Sequence, residues 1–243
     1  MKSMIPWIGG KRALADQITA MIPSDITRYI EVFGGGGSVL FSRDKHAPFE
    51  VYNDANGNLV NLFRCAKYHC AELQREIGLQ LNARETFMDL RVRLRTPGFT
   101  DIQRAAMFFL IVRMSYGADS RTYGCAPKPL VADYLTDISR RLQRVVIEHK
   151  DFEDLIRIYD RPGTVFYCDP PYWAAEKYYD ATFSATDHER LKRCLNGVKG
   201  RFILSYNDCP EIHELYKDYN IRTADRPNNL ASGRYPELLI SNM

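Results

Sequence analysis

The sequence VFYCDPPYW, residues 165–173, decides which fold is expected. Its first four residues, 165–168, form an apolar and aromatic run after a Pro-Gly turn, a pattern that predicts a buried strand of a parallel sheet. Pro170 and Pro171 have no N–H to give to a neighbouring strand and fix φ, so the strand ends there in a rigid turn. Asp169 is therefore expected at the carboxyl end of the strand, where open α/β sheets bind ligands.

The tetrapeptide at 169–172, Asp-Pro-Pro-Tyr, suits an amino group on a planar ring. The Asp169 carboxylate and the Pro170 carbonyl can each accept one amine hydrogen, while Tyr172 stacks on the ring. The amine of adenine is a weak nucleophile because its lone pair is delocalised, and holding both hydrogens aims that lone pair at an electrophile. On its own, the motif also fits a simple turn at the end of a strand.

Length and composition bound the class of protein. A chain of 243 residues with 45% hydrophobic residues can bury the core of one domain, with or without a small insertion. No stretch is apolar for long enough to cross a bilayer, and the first residues lack the apolar segment of a signal peptide, so we expect a soluble cytoplasmic protein. The six cysteines form no Cys-x-x-Cys pair, which favours reduced thiols, and we expect no metal site.

Two further strands are predicted at 28–33 and 49–52, separated by a glycine run at 34–37 and a helix at 38–43. Glycines at a strand-to-helix turn allow a ligand to approach the backbone near a helix N-terminus. The spacing is not G-x-G-x-x-G and no lysine follows, so a nucleoside is a better candidate than a pyrophosphate. Asp54, after the second strand, is placed to accept hydrogen bonds from ribose hydroxyls, or alternatively to cap the next helix.

Alternating strands and helices resume after residue 131, which predicts a mainly parallel sheet covered by helices. Asp151 and Phe152 follow a strand: Asp151 can cap the next helix, or the carboxylate and the ring together can hold a purine. The predicted strands are 144–148, 201–205, 221–223 and 238–240, and the predicted helices are 132–142, 187–195 and 210–219, with an earlier helix at 12–22.

The stretch 61–131 differs from the rest of the chain because it has helical periodicity and no strand pattern. It carries eleven Lys and Arg residues against six Asp and Glu, an excess larger than the net charge of +3 of the whole chain. We interpret it as an inserted helical lobe, whose basic and aromatic residues suit phosphate contact and base stacking. For the arginines at 91, 93 and 95, a solvated helical face is the alternative. The candidate nucleic-acid-binding residues, which the resemblance described next assigns to DNA, are Arg113, Tyr116, Arg121, Tyr123 and Lys128.

Taken in order, these motifs resemble those of the Dam-like D12 class of DNA N6-adenine methyltransferases over nearly the whole chain. The matching segments are Trp-Ile-Gly-Gly-Lys at 7–11, Glu-Val-Phe-Gly-Gly-Gly-Gly at 31–37, Asn-Asp at 53–54, Asp-Phe at 151–152, Asp-Pro-Pro-Tyr at 169–172, Leu-Ser-Tyr-Asn at 204–207 and Glu-Leu-Leu-Ile-Ser-Asn at 237–242. One segment departs from the family pattern: residues 121–127 end in Cys-Ala-Pro instead of an Asn-rich run with Phe-Asn-x-Pro. The resemblance therefore implies no particular recognition sequence.

The resemblance implies a fold, a cofactor and site residues. The fold would be α/β, the seven-stranded Rossmann-like sheet of S-adenosylmethionine-dependent methyltransferases, formed by residues 1–60 and 132–243 with a helical DNA-recognition lobe at 61–131. S-adenosylmethionine would lie across the strand ends. The residues implied to bind it are Trp7, Lys11, Glu31, Phe33, Gly34, Gly36, Asp54, Asp151, Phe152 and Asp169, and the implied catalytic residues are Asp169, Pro170, Pro171 and Tyr172.

These observations predict the transfer of a methyl group from S-adenosylmethionine to N6 of a flipped-out adenine in double-stranded DNA. No covalent intermediate is needed, because the sulfonium is already a strong electrophile. The alternatives are RNA or a protein amide as the acceptor, or a catalytically silent nucleic-acid-binding module. A dehydrogenase fits less well, since the dinucleotide glycine spacing is missing. We expect double-stranded DNA as the partner and neither a membrane nor a metal, whereas the oligomeric state stays open.

Overall fold

The computed structural model describes residues 1–125, 132–174, 183–227 and 234–243. Within these ranges the chain forms an α/β fold around a seven-stranded sheet in the order β3-β2-β1-β4-β5-β7-β6. All strands are parallel except β7, which runs antiparallel to both β5 and β6. The strands are β1 (Arg28–Glu31), β2 (Phe49–Asn53), β3 (Val145–Glu148), β4 (Thr164–Cys168), β5 (Arg201–Asn207), β6 (Asn220–Pro227) and β7 (Arg234–Ser241). The predicted seven-stranded Rossmann-like sheet is thus confirmed.

The centre of the sheet contains the point where the strand order reverses. From β1 the chain moves outward to β2 and β3, and it then returns to β4 on the other side of β1. The connections after β1 and β4 therefore leave in opposite directions and open a crevice at the carboxyl ends of these strands. Glu31 pairs with Tyr167 in this register, so the residues that follow both strands meet at the crevice.

Nine helices flank the sheet in the described ranges. The most buried is α5, which packs against α2, α3 and α4 and has nine of its fourteen residues buried. A helix that is apolar on all sides belongs in the middle of a bundle. Its start is fixed by Thr100 and Gln103, which form a reciprocal capping box. The helices are α1 (Ala15–Ala20), α2 (Gly57–Tyr68), α3 (Cys70–Gly78), α4 (Arg84–Arg93), α5 (Asp101–Met114), α6 (Leu135–Leu142), α7 (Phe152–Tyr159), α8 (Ala185–Asn196) and α9 (Pro210–Leu215).

The core has one layer on each face of the sheet, because successive residues of a strand point to opposite faces. Tyr29 and Tyr167 belong to the layer that also contains the buried side chains of α2–α6. Ile30 and Phe166, their neighbours in sequence, belong to the layer under α7, α8 and α9. The helices of the 61–131 stretch thus share a continuous core with one face of the sheet. In the described ranges, no helix has the length and apolar character needed to cross a membrane.

The helix predicted at 38–43 is wrong, because this segment forms only a 3-10 turn at Leu40–Ser42. Arg43 is already extended, with φ −127° and ψ 155°. In a helix the N–H of Arg43 would bind the carbonyl of Val39, but that carbonyl instead accepts from the Ser42 hydroxyl at 2.7 Å and from Nε2 of His46 at 2.9 Å.

The guanidinium of Arg141 donates to the carbonyls of Leu40 at 3.1 Å and Arg43 at 3.0 Å. The same guanidinium binds both carboxylate oxygens of Glu50 at 2.7 Å.

The buried Arg141–Glu50 pair generates a stability prediction. The side chains are 4% and 3% exposed, so Arg141→Met leaves a buried carboxylate without its cation. We expect a loss of about 3–5 kcal/mol in the free energy of unfolding, measured by urea denaturation. The control is Arg140→Met, which removes a neighbouring arginine that pairs with Asp137; the two side chains are 75% and 58% exposed. This variant should lose no more than about 0.5 kcal/mol in the free energy of unfolding. Equal losses in the two variants would refute the structural role of Arg141.

Candidate active site

Asp169 is the residue on which the other side chains of the site converge. It follows β4, whose five residues are all buried, and its own side chain is 18% exposed. The ammonium nitrogen of Lys11 lies 2.8 Å from Oδ1 of Asp169 and donates to the carbonyl of Gly9 at 2.6 Å. Lys11 is only 3% exposed, so protein acceptors replace the water that an ammonium group would otherwise require. This pair anchors the N-terminal segment at the end of β4.

Strands β5 and β7 add two more side chains to this cluster. Ser205 on β5 is fully buried and donates its hydroxyl hydrogen to Oδ1 of Asp169 at 2.8 Å. Glu237 on β7 is also buried, and its Oε2 lies 3.9 Å from the Lys11 nitrogen. Sequence reasoning assigned no function to either residue. Because Ser205 is 36 residues away from Asp169, only the pairing of β4 with β5 could have revealed the contact.

The glycine run at 34–37 is required by the packing of the protein itself. A Cβ on Gly34 would lie 2.1 Å from the ring of Tyr52. A Cβ on Gly35, whose φ is +51°, would lie 2.8 Å from the ring of Trp7. Tyr52 also donates its hydroxyl hydrogen to the carbonyl of Gly35 at 2.7 Å. The two rings fix the shape of the loop, and the approach of a ligand to its backbone stays a prediction.

Asp54 joins the glycine loop to the start of α2. Its Oδ2 accepts the N–H of Gly35 and its Oδ1 accepts the N–H of Asn56, both at 2.8 Å. The cap of α2 is Asn56, which accepts the N–H groups of Asn58 and Leu59. The capping alternative for Asp54 is therefore wrong. Burial raises the pKa of Asp54, although hydrogen bonds from Asn56 and Gly35 oppose this rise.

A cleft opens between the glycine loop, the N-terminal segment and the end of β4. Pro171 contributes to its wall, and Phe183 lines it from the start of the segment that leads into α8. Pro170 and Tyr172 are buried, and they lie outside the lining together with Asp151 and Phe152. Eight residues predicted to bind the cofactor line the cleft, namely Trp7, Lys11, Glu31, Phe33, Gly34, Gly36, Asp54 and Asp169.

Asp151 and Phe152 sit next to this cleft at the start of α7. Asp151 caps the helix by accepting the N–H of Glu153 at 3.0 Å, so the capping alternative is confirmed. It is also bound by Arg190, whose Nη2 lies 2.5 Å from its Oδ1. The same guanidinium lies over the ring of Phe152, 4.4 Å from the centroid, and Phe152 packs on Phe33 at 5.7 Å. Arg190, which the sequence did not single out, thus connects α8 with the cleft wall.

Glu31 brings an ionisable group to the cleft at the end of β1. It is 1% exposed, and its Oε2 accepts the hydroxyl hydrogen of Tyr29 at 2.8 Å. Burial raises the pKa of Glu31 to about 8; the bond from Tyr29 lowers this pKa, whereas the negative charge of Asp169 raises it. Most Glu31 carboxyl groups are therefore neutral at pH 7, and a cation placed nearby would favour the charged form.

The ring of Tyr172, predicted to stack on a base, lies inside the protein. Tyr172 is 6% exposed, and the Lys11 ammonium stands 4.7 Å from the centroid of its ring. Tyr206 packs nearby, with ring centroids 6.1 Å apart. A base can therefore reach this ring only after its surroundings rearrange.

The predicted DNA-binding residues differ in their accessibility. Tyr116 is 65% exposed, and Arg121 is also exposed. Tyr123 instead packs on a phenylalanine of α4 with ring centroids 5.7 Å apart, and it is partly buried. Arg113 is partly buried over an aromatic ring of α5, at 5.8 Å. Lys128 lies outside the described residues.

The loop that carries Tyr116 and Arg121 is closed by hydrogen bonds. An antiparallel bridge joins Ser115 to Tyr123 at its base. Asp119 accepts the N–H of Arg121 at 2.8 Å, and Arg91 on α4 donates to the carbonyl of Arg121 at 3.0 Å. The loop is therefore held in one shape against α4.

Cysteines and potential metal ligands form neither a disulfide nor a metal-binding group in the described ranges. All six cysteines are free, as predicted, and Cys168 directly before Asp169 is buried. Burial raises the pKa of its thiol, which opposes a role as a nucleophile. In the described part of the chain, no three His, Cys, Asp or Glu side chains are grouped closely enough to hold a metal ion.

Glu31 generates a prediction about pH. Its folded-state pKa of about 8 lies above the ordinary value of 4.5, so the folded state retains a proton that the unfolded state loses. Stability from this group is fully present below about pH 4.5 and is lost as pH rises to about 8. By pH 9 the cost is on the order of 4 kcal/mol, and Glu31→Gln should remove it. Urea denaturation at pH 5, 7 and 9 measures this difference.

The matched control for Glu31→Gln is Glu214→Gln, which changes a glutamate that is 75% exposed. This variant should keep the pH dependence of the unmodified protein. If Glu31→Gln also leaves that dependence unchanged between pH 5 and pH 9, Glu31 does not hold its proton in the folded state.

Known proteins resemble the chain over nearly its full length. Its residues 7–227 match the family described as D12 class N6 adenine-specific DNA methyltransferase. It is 30% identical to the Type II methyltransferase M1.LlaDCHI of Lactococcus lactis subsp. cremoris, across 100% of this chain and 95% of that protein. It is 26% identical to the Type II methyltransferase M.MjaIII of Methanocaldococcus jannaschii, across 91% of this chain and 90% of that protein. It is also 27% identical to a DNA adenine methylase of Serratia marcescens, across 78% of this chain and 76% of that protein. The chain therefore belongs to the D12 class of N6 adenine-specific DNA methyltransferases.

Proposed function

We propose that this enzyme transfers the methyl group of S-adenosylmethionine to N6 of adenine in double-stranded DNA. The observation that carries the proposal is the position of Asp169, fixed at the end of β4 by Lys11 and Ser205 beside a cleft lined with aromatic rings and carboxyl groups. Membership of an adenine-specific DNA methyltransferase family supplies the reaction class and the acceptor. The methyl donor and the roles of single residues are the parts that we infer.

The residues of the cleft fit S-adenosylmethionine chemically. Trp7 and Phe33 offer ring faces for a purine, as expected for an adenosine site. Each carboxylate oxygen of Asp54 accepts one backbone N–H and keeps a further lone pair, which a ribose hydroxyl can use. Glu31 is a buried carboxyl group in the same cleft and would gain a partner from a cationic ligand. When bound, the cofactor supplies an electrophilic methyl group on a sulfonium.

The catalytic motif prepares the acceptor amine. The Asp169 carboxylate and the Pro170 carbonyl would each accept one hydrogen of the N6 amine, which would leave the nitrogen lone pair available to a bound methyl donor. The methylated amine would be cationic, and Asp169 would accept the proton that it then loses. The rigid Pro-Pro turn after β4 sets the position of both acceptors. Tyr172 would stack on the base after leaving its place beside Lys11. No protein nucleophile is required, because alignment and charge placement provide the catalysis.

DNA would contact the helical stretch at 61–131, which we propose as the target-recognition lobe. Adenine inside a duplex is out of reach, so the base must flip out of the helix at a cost of a few kcal/mol. The excess of positive charge in this stretch suits contacts with phosphates. Tyr116 and Arg121 project from a loop that Arg91 holds against α4, which makes them the best placed of the predicted DNA-binding residues.

Asp169→Ala tests the catalytic proposal. The purified protein is incubated with radiolabelled S-adenosylmethionine and unmethylated plasmid, and the nucleosides are then analysed for N6-methyladenine. We expect the variant to lose about 100- to 1,000-fold in rate, because the amine is no longer held. Asp25→Ala is the control: that carboxylate is 71% exposed, pairs with Arg201 and should leave the rate unchanged. Wild-type rates from a folded Asp169→Ala protein would exclude the mechanism. The acceptor would be excluded if the unmodified protein bound the cofactor and labelled RNA, supplied in a parallel reaction, but not the plasmid.

Arg121→Ala tests the proposed DNA surface. We expect weaker binding to duplexes of every sequence, with the slope of log affinity against log salt concentration reduced in magnitude by about 1, as for one lost phosphate contact. Cofactor affinity, measured by calorimetry, should not change. Lys217→Ala removes a lysine that is 61% exposed near α9 and serves as the control. An unchanged salt slope for Arg121→Ala would place the DNA on another surface.

A further inference from the structure

Two buried side chains act on the same carboxylate oxygen of Asp169. The Lys11 ammonium forms an ion pair with Oδ1 at 2.8 Å, and the Ser205 hydroxyl donates a hydrogen bond to Oδ1, also at 2.8 Å. Both of these protein contacts therefore fall on Oδ1. Among the described residues, Oδ2 accepts no hydrogen bond. The protein therefore holds Oδ1 in place, and Oδ2 is available to accept a hydrogen of an acceptor amine.

The hydroxyl of Ser205 has a defined direction. It carries a single hydrogen and has two acceptors within reach, Oδ1 of Asp169 at 2.8 Å and the carbonyl of Cys168 at 3.4 Å, of which Asp169 is the closer. The hydroxyl oxygen of Tyr167 lies 3.1 Å from Oγ of Ser205, and the contact then requires that Tyr167 be the donor. Tyr167 is 2% exposed and Ser205 is fully buried, so water does not compete for either group. The hydrogen bonds thus run in one direction, from Tyr167 through Ser205 to Asp169.

Rigid elements carry this chain of hydrogen bonds. Tyr167 belongs to β4 and Ser205 to β5, and Cys168 pairs with Leu204 in the parallel register between them. The position after Cys168 therefore lies beside the position after Leu204, which brings Ser205 next to Asp169. Side chains placed on paired strands hold a neighbouring group more firmly than side chains on loops do.

We propose that Ser205 is a positioning residue for methyl transfer, which holds Asp169 with Oδ2 turned toward the acceptor amine, while Tyr167 fixes the direction of the Ser205 hydroxyl. The inference rests on the proposed function, because it assigns the amine to Asp169. Ser205 itself acts through Asp169 and need not touch the substrate. Its loss should slow the transfer step without weakening the binding of the cofactor.

The test compares Ser205→Ala, Tyr167→Phe and the double variant. Each is assayed for single-turnover methyl transfer to unmethylated plasmid, for S-adenosylhomocysteine affinity by calorimetry, and for thermal unfolding, with rates taken where all variants are folded. We expect Ser205→Ala to reduce the transfer rate about 10- to 100-fold, since a misplaced reactive group has effects of this size, with affinity unchanged within about 2-fold. Tyr167→Phe should reduce the rate less, because the Ser205 hydroxyl remains.

The double variant separates positioning from stability. Ser205→Ala leaves the buried hydroxyl of Tyr167 without this acceptor, which destabilises the protein, and Tyr167→Phe removes that hydroxyl. We therefore expect the double variant to regain thermal stability but to stay as slow as Ser205→Ala. The control is Ser241→Ala, which removes another buried hydroxyl from the same sheet, one that donates to the carbonyl of Met243 instead. It should transfer methyl groups at the normal rate.

Two results would overturn the proposal. One is a normal transfer rate in the double variant, which would make the effect of Ser205→Ala a matter of stability alone. The other is a loss of S-adenosylhomocysteine affinity that equals the loss of rate. Failure of the proposed function has a different signature: the unmodified protein would bind S-adenosylhomocysteine and leave DNA unlabelled.

Discussion

The site depends first on the ion pair between Lys11 and Asp169. An ammonium group that is 3% exposed cannot rely on water, so the segment around Lys11 must lie where acceptors are present. The carbonyl of Gly9 accepts a hydrogen bond at 2.6 Å, and Asp169 supplies the negative charge at 2.8 Å. The pair places the segment across the end of β4, and Trp7 from the same segment then packs on the glycine loop. One buried interaction thus connects the Asp-Pro-Pro-Tyr motif with the wall of the cleft.

Much of the fold could be predicted because its signals are local. The apolar run before Asp169 and the Pro-Pro turn after it defined β4, and the alternation of strands and helices predicted the sheet. Most of the predicted cofactor residues line one cleft because they follow parallel strands that end at the same edge. The predicted helix at 38–43 failed because the carbonyl of Val39, which a helix would offer to the N–H of Arg43, accepts instead from the side chains of Ser42 and His46.

Features of the site that depend on distant pairs could not be predicted. Ser205 reaches Asp169 only because β5 pairs with β4, and Arg190 reaches Asp151 and Phe152 only because α8 packs beside α7. The choice of Asn56 over Asp54 as the cap of α2 is local, yet two polar residues so close in sequence are equally suitable caps. The glycine run was recognised, but its aromatic partners come from two other segments. Contacts between elements that are distant in sequence therefore decide which of several chemically suitable side chains binds a given site residue.

The surroundings of Lys11 have a consequence for synthesis of the protein. Lys11 precedes every strand of the described sheet, whereas Glu237, 3.9 Å from its nitrogen, lies on β7, which is inserted between β5 and β6. A growing chain on the ribosome can form β1, β4 and Asp169 long before β7 has been made. Until then, Glu237 is missing from beside Lys11, and β5 has no strand paired on the side that β7 later occupies. Completion of the charge cluster around Lys11 is thus tied to completion of the sheet, so a nascent chain that stalls before β7 would lack Glu237 beside Lys11.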